Sequence, residues 1–358
     1  MEYYVILYIL YFGVGIMEIN NRRKQTSFWC AVCLMPLFIL TAFRDFSVGN
    51  DTIPYYNTYL TIYMLDDLKQ AFLYSRMEPG YVFINYIFAS LNIQYIYLQV
   101  CISAFIYYSL FRFLCKYSFN VGLSCMIFLG MRLFCGPMNV VRMWIALAIL
   151  LYALDYFLSN KIYLANFFVI LAAIFHYSAM IFLIMNLICK VGMKKKYFAI
   201  LVFSSVLVAI IGRPFFEMLT NYIGLYQGYL NSNYFNYDDN IAVYITLLID
   251  ICLVSLFYFL TRRKQLDGFK NVSVFVYLVI ISMCLDIIGL TNTIMSRISG
   301  YFYISWMVLL PLAVNYIRKA DKKLFIYSCL AISFFLQFLV VMIYRPQWNG
   351  VVPYTWYF

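Results

Sequence analysis

The chain has 358 residues, 65% of them hydrophobic and 11% charged, with a mean hydropathy of +0.83. Soluble domains carry about 25% charged residues, so this composition excludes a water-soluble fold and points to a polytopic membrane protein. The net charge of +11 is then a matter of membrane orientation rather than of nucleic-acid binding.

In chain order, apolar runs near 3–19, 27–43, 95–115, 118–135, 138–158, 162–175, 177–190, 197–212, 241–260, 271–290, 298–317 and 324–344 predict about twelve transmembrane helices. The first run has no basic n-region and reads as a span rather than a cleavable signal. The expected architecture is all-α and GT-C-like. It forms a single membrane domain over 1–358, with outer loops at 44–78 and 213–240.

Eighteen of the 26 basic residues gather in six clusters between spans: Arg22–Lys24, Arg112 with Lys116, Lys161, Lys190 with Lys194–Lys196, Arg262–Lys264 with Lys270, and Arg318–Lys323. The positive-inside rule places all six in the cytoplasm and both termini outside. That parity makes 79–93 a re-entrant or half-depth helix, because a full crossing would move every later cluster to the wrong side. The same reasoning splits the uncharged run Ile162–Cys189, about 42 Å as one helix, into a hairpin of two short helices. The hairpin turns at Phe175-His176-Tyr177 and carries the only histidine of the chain. Short helix ends must pack on protein or line a wet cavity, so an outward-facing aqueous cavity is expected.

The eight remaining cations are Arg44, Lys69, Arg76, Arg132, Arg142, Arg213, Arg297 and Arg345. Seven are arginine, against the positive-inside preference. Arginine suits phosphate and pyrophosphate, since its planar fork matches their oxygens in pairs and never deprotonates. Snorkelling anchors and partners of acidic side chains such as Asp45 and Glu78 are the simpler reading for some of them, Arg345 and Lys69 above all. The tyrosine- and asparagine-rich outer loops suit sugars or an aromatic interface belt equally. Asp66-Asp67 reads as a solvated helix face, and Asp155, Asp250 and Asp286 as helix–helix pairing. There is no Walker, GxGxxG or HExxH pattern and no Cys/His cluster. Cys30 and Cys33 read as apolar filler. No metal or cofactor is expected.

Four segments together resemble one family. "FRDFSVGNDTIPYY" resembles the R…VGxDxxxY segment of the EpsG family, and "NVVRMWIALAILLYAL" its R-xx-(I/L)A span. "AAIFHYSAMIF" resembles its FHxSA hairpin and "SRISGYFYI" its late R…Y(F/Y) element. The matched positions are Arg44, Gly49, Asp51, Tyr55, Arg142, His176 and Arg297. Asn50 stands where the pattern has a small hydroxyl residue. The resemblance implies a Wzy-type O-antigen or surface-polysaccharide polymerase of the bacterial inner membrane, acting at the periplasmic face. It implies donor and acceptor repeats carried on undecaprenyl pyrophosphate, no metal, and a possible chain-length regulator as partner. His176, Arg142 and Arg297 would be catalytic, and Arg44, Arg142, Arg213 and Arg297 would bind pyrophosphate. Asp51, Tyr55, Arg76, Glu78 and Tyr301 would bind the acceptor and its sugars. Free imidazole titrates at about 6.5, which suits His176 to the role of base, with positioning as its other role. The alternative is a flippase for a lipid-linked glycan. Such a carrier favours internal repeats and charge reaching the cytoplasmic side, and neither is evident in the sequence.

Overall fold

The computed structural model describes residues 1–20, 26–191, 200, 203–208, 210, 241–261, 271–290 and 293–358, and is all-helical over them apart from one isolated bridge between Arg44 and Trp356. Seven helical stretches among the described residues are long and apolar enough to cross a bilayer: Glu2–Ile19, Tyr95–Tyr117, Val141–Leu158, Tyr244–Thr261, Val272–Gly289, Met295–Asn315 and Ala320–Tyr344. An eighth appears if the bent pair Val121–Gly130 and Leu133–Asn139 is one span. The chain is a multi-pass membrane protein. Half of the expected span near 197–212, all of the loop 213–240 and the basic residues at 22–24, 194–196 and 262–270 lie outside the described residues.

The helices fall into two compact units, residues 1–186 with 318–358 and residues 187–317. The first unit holds α1 (Glu2–Asn20), α2 (Thr26–Ala42), α3 (Thr52–Tyr63), α4 (Leu68–Tyr74), α5 (Pro79–Ser90) and α6 (Tyr95–Tyr117). These are followed by α7 (Val121–Gly130), the four-residue α8 (Gly136–Asn139), α9 (Val141–Leu158), α10 (Ile162–Phe175) and the start of α11 (Met185–Val191). The second unit holds the rest of α11, α12 (Ile241–Thr261), α13 (Val272–Gly289), α14 (Thr293–Ile298) and α15 (Trp306–Asn315). The chain returns to the first unit with α16 (Ala320–Tyr344), which packs on α7 and α1.

Several elements depart from simple spans for identifiable reasons. The run expected to cross as 118–135 stops at Gly130 and bends by 69°. Arg132 takes the left-handed conformation (φ 59°), which ends a helix, and Gly136-Pro137 restarts one, proline being tolerated in a first turn. The ambiguous segment 79–93 forms α5, whose 12 residues span about 18 Å against a hydrocarbon core of about 30 Å. It begins with proline, a favoured opener. The apolar run Ile162–Cys189 breaks at His176, which caps α10 in an extended conformation (φ −157°, ψ 112°), and continues as a 3-10 helix over Tyr177–Ile184 that packs on α10.

Within the stretch expected as the outer loop 44–78, the longer helix is α3. Its buried Tyr55, Tyr59 and Ile62 recur at helical spacing. Asp67 caps α4 by accepting from the Gln70 N–H at 2.7 Å.

Candidate active site

Three helix ends meet in the first unit. Glu78 is the last residue before α5, Arg142 lies in the first turn of α9, and His176 ends α10. α10 packs on both α9 and α5. The approach of α5 to α10 is close: a Cβ on Gly80 would sit 2.9 Å from Ile174 Cγ2 and 3.0 Å from its carbonyl oxygen. A side chain at position 80 would have to push Ile174 aside, so glycine suits the close approach of α5 to α10.

Glu78 is the hub. One carboxylate oxygen accepts from the Arg142 guanidinium in an ion pair, and the other lies 2.7 Å from His176 Nδ1. Glu78 is 6% exposed, whereas the His176 and Arg142 side chains keep 29% and 23% of their surface. Burial alone would push the Glu78 carboxyl up. The His176 hydrogen bond and the Arg142 charge outweigh it and hold the group below the usual carboxylate range. An ionised carboxylate only accepts, so Nδ1 carries the proton. In the neutral ring Nε2 then holds the lone pair.

The helix ends themselves divide the charges. A carboxylate before α5 and an imidazole after α10 sit where the backbone dipoles favour negative and positive charge respectively. Arg142 sits in a first turn, where a cation is disfavoured, and Glu78 compensates. The Tyr55 ring faces the Arg142 guanidinium at 5.8 Å from its centroid. Burial pushes the Tyr55 hydroxyl up, partly offset by the Arg142 charge.

Behind this cluster, the segment after α2 is held between α8 and the C-terminal strand-like tail. Gly49 has φ +94°, and a Cβ there would lie 2.4 Å from the Met138 carbonyl oxygen, so the turn requires glycine. The Gly49 N–H donates to the Gly350 carbonyl at 2.8 Å and the Asn50 N–H to Asn139 Oδ1 at 2.7 Å. Asn50 Nδ2 reaches the carbonyls of Gln347 and Trp348, and Asn139 Nδ2 that of Asn349. Backbone bonds Asp45 to Thr355 and Tyr357 to Phe43 extend the clasp. A shorter hydroxyl side chain at position 50 could not span to both tail carbonyls.

Of the residues expected at the site, Glu78, Arg142, His176 and Tyr55 come together. Arg44 is 1% exposed and donates to the carbonyls of Thr41 and Met138. Asp51 precedes α3 and is half-buried, and Arg76 is exposed just ahead of Glu78. Arg297, in the last turn of α14, and the buried Tyr301 belong to the second unit. Arg213 lies outside the described residues.

The intramembrane carboxylates have partners. Asp155 accepts from Lys116 at 2.9 Å, Tyr117 at 2.6 Å and Arg112 at 3.5 Å. In the second unit, Tyr303 Oη donates towards both Asp250 and Asp286, with Trp306 Nε1 on Asp250 at 3.1 Å and Ser299 on Asp286 at 2.8 Å. Sequence reasoning placed these aspartates in spans but missed this joint cluster. The aromatic donors to Asp250, 53 and 56 residues beyond it, carried no distinguishing signal in a chain with 36 tyrosines. Among the described residues no group of three or more His, Cys, Asp or Glu side chains is placed to hold a metal ion.

The sequence model of the EpsG family matches residues 2–356. No curated protein and no solved structure matches the chain.

Proposed function

Because the chain belongs to the EpsG family, whose members are Wzy-type polymerase-like, we propose that it is a glycosyltransferase that polymerises oligosaccharide repeats carried on undecaprenyl pyrophosphate. It works in the bacterial inner membrane with its site and both termini facing the periplasm. About twelve crossings in a GT-C-like arrangement accommodate that orientation. Its product is an O-antigen or related surface polysaccharide, and a separate chain-length regulator is a possible partner.

The observation that carries this reading is the buried Glu78 carboxylate holding Arg142 and His176 side by side. His176 Nε2 takes the proton from the acceptor hydroxyl as that oxygen attacks the anomeric carbon of the donor glycan. The C–O bond to the pyrophosphate breaks, and the leaving group departs on its lipid with the electron pair. Glu78 keeps the ring in the tautomer that accepts at Nε2 and stabilises the imidazolium as it forms. A positioned base of this kind contributes about 10²–10⁴ in rate.

Arg142 stabilises the growing negative charge on the departing phosphate. Arg44 fixes the segment carrying Asp51 and Tyr55, which with Arg76 receive the acceptor sugars. No metal takes part.

The test is the purified protein with a synthetic lipid-linked repeat and no added metal. Chain growth is expected, and His176→Ala at a normal protein level is expected to yield nothing longer than one repeat. A full ladder from His176→Ala would remove the imidazole from the chemistry. Translocation of the repeat without any chain growth would favour a flippase.

A further inference from the structure

The first unit contains a cavity of about 370 Å³ between α5, α6, α9 and α10, walled almost wholly by apolar side chains. Its relation to the Glu78–Arg142–His176 cluster is built into the helices. On α9, Arg142 is followed by Ile145, Ile149 and Tyr152, which line the cavity. Offsets of three, seven and ten residues keep all four on one helix face. On α10, Phe175 lines the cavity immediately before His176, and Leu171 and Phe168 continue the same face one and two turns back. α5 follows directly on Glu78 and reaches the cavity with Ile84 and Phe88. Each of the three elements that supply the polar cluster therefore runs from it straight into the cavity wall. Along α9 the lining extends about 15 Å from Arg142.

A ligand matched to this arrangement has an anionic group at the arginine end and one apolar chain attached directly behind it. Resting on the polymerase reading, we infer that this cavity holds the first isoprene units of the lipid-linked donor, with the pyrophosphate at Arg142 and the remaining chain in the bilayer. The volume is at the low end of ligand cavities, about 300–1,000 Å³, which suits a segment of one chain rather than the paired acyl chains of a phospholipid. Four phenylalanines, 88, 105, 168 and 175, stand in the wall, and their ring faces suit the double bonds and methyl branches that distinguish an isoprenoid from a saturated chain. Cys101 and Phe105 on α6 line the cavity and are themselves exposed. They mark the side through which the chain passes to the bilayer.

The experiment uses the full chain in lipid nanodiscs. The probe is a polyprenyl diphosphate, without glycan, bearing a diazirine on its second or third isoprene unit, and adducts are mapped by mass spectrometry. Adducts are expected on the helices that wall the cavity. Ile149→Trp, which fills the cavity, is expected to reduce them at least tenfold, as is Cys101→Trp, a change at an exposed wall position that the fold tolerates if the first variant does not accumulate. Unlabelled polyprenyl diphosphate should compete and a two-chain phospholipid at the same mole fraction should not. Adducts elsewhere, adducts undiminished in both variants, or equal competition by the phospholipid would overturn the assignment. Chain extension is measured on the same preparation. Labelled cavity walls without glycan extension would sink the polymerase reading and leave the isoprenoid site standing, and extension with adducts elsewhere would do the reverse.

Discussion

Glu78→Gln separates the bridging carboxylate's charge from its shape. The amide has nearly the same volume and stays in the same 6%-exposed position. Two charge-assisted hydrogen bonds, from Arg142 and from His176 Nδ1, lose the carboxylate charge or break. Bonds to charged groups are worth about 1.5–3 kcal/mol and neutral ones about 0.5–1.5, so a stability loss of about 1–3 kcal/mol is expected. The chemical step loses more. A carboxamide can turn its NH₂ towards Nδ1, and the ring then carries its proton on Nε2, where the acceptor hydroxyl must deliver one. Losing a positioned base removes about 10²–10⁴, and because the substitution leaves some rings in the working tautomer, a fall of about 10²–10³ is expected, or about 2.7–4 kcal/mol in the barrier. The assay is single-turnover extension of a synthetic lipid-linked repeat by purified protein, with thermal unfolding followed on the same samples. Glu78→Asp keeps the charge but is one methylene too short to reach both partners and should fall between. A Glu78→Gln rate within about threefold of wild type, under 1 kcal/mol, would refute the bridge as part of the mechanism.

Arg142→Lys retains a cation but not the planar fork, and extension should drop about 10–100-fold at unchanged protein level. Full activity would show that charge alone suffices there. Gly49→Ala forces a side chain onto a φ of +94° and towards the Met138 carbonyl, so a loss of about 1–3 kcal/mol should appear as a lower melting temperature in detergent, and an unchanged melt would show that the clasp around Gly49 does not hold the unit together. The depressed Glu78 carboxyl sets a pH dependence. Its folded value is below the unfolded one, so its contribution is fully present above the ordinary carboxyl value of about 4.3 and disappears as pH falls through the lowered folded value. The stability gap between wild type and Glu78→Gln should therefore be constant near neutrality and close only below about pH 4. A gap that persists undiminished at pH 3 would contradict this.

The periodic part of the structure was legible because lipid enforces it. A helix that crosses hydrocarbon must be long, apolar and internally bonded, so Tyr95–Tyr117, Val272–Gly289 and Ala320–Tyr344 are visible as composition alone. Charge parity also located the break at His176, since one helix over Ile162–Cys189 put a basic cluster on the wrong side. What composition does not encode is contact between distant segments. Glu78 was legible as a candidate partner for an outer arginine and as an acceptor-binding residue, yet nothing in its neighbourhood announces that two residues 64 and 98 positions away share it. The C-terminal tail was equally silent. The backbone carbonyls and amides of "RPQWNGVVPYTWYF" hold the turn at Gly49-Asn50 and the segment before it. The bend after Gly130 had a local signal, the Gly136-Pro137 pair, outweighed by the apolar run around it.

Arg44 and Arg142 show how the partner, rather than the residue type, decides the role. Both are arginines near span ends, and both match the same family's pattern. Arg44 is enclosed, and its donors go to backbone carbonyls at Thr41 and Met138 while Gln99 donates to the carbonyls of Ala42 and Arg44 itself. Carbonyls are fixed dipoles that neither titrate nor leave, so these contacts tie α2 to α8 and, through α8, to the start of α9. Arg142 is at that start, partly open, and its partner is a carboxylate whose second oxygen already serves an imidazole. A guanidinium paired with an ion can exchange part of that pairing for an incoming phosphate at little electrostatic cost, because one anion replaces another. Carbonyl contacts offer no such exchange. The enclosed arginine therefore sets the position of the open one, and the glycine turn at position 49, pressed against the same Met138 carbonyl, fixes both to the helix that presents Tyr55.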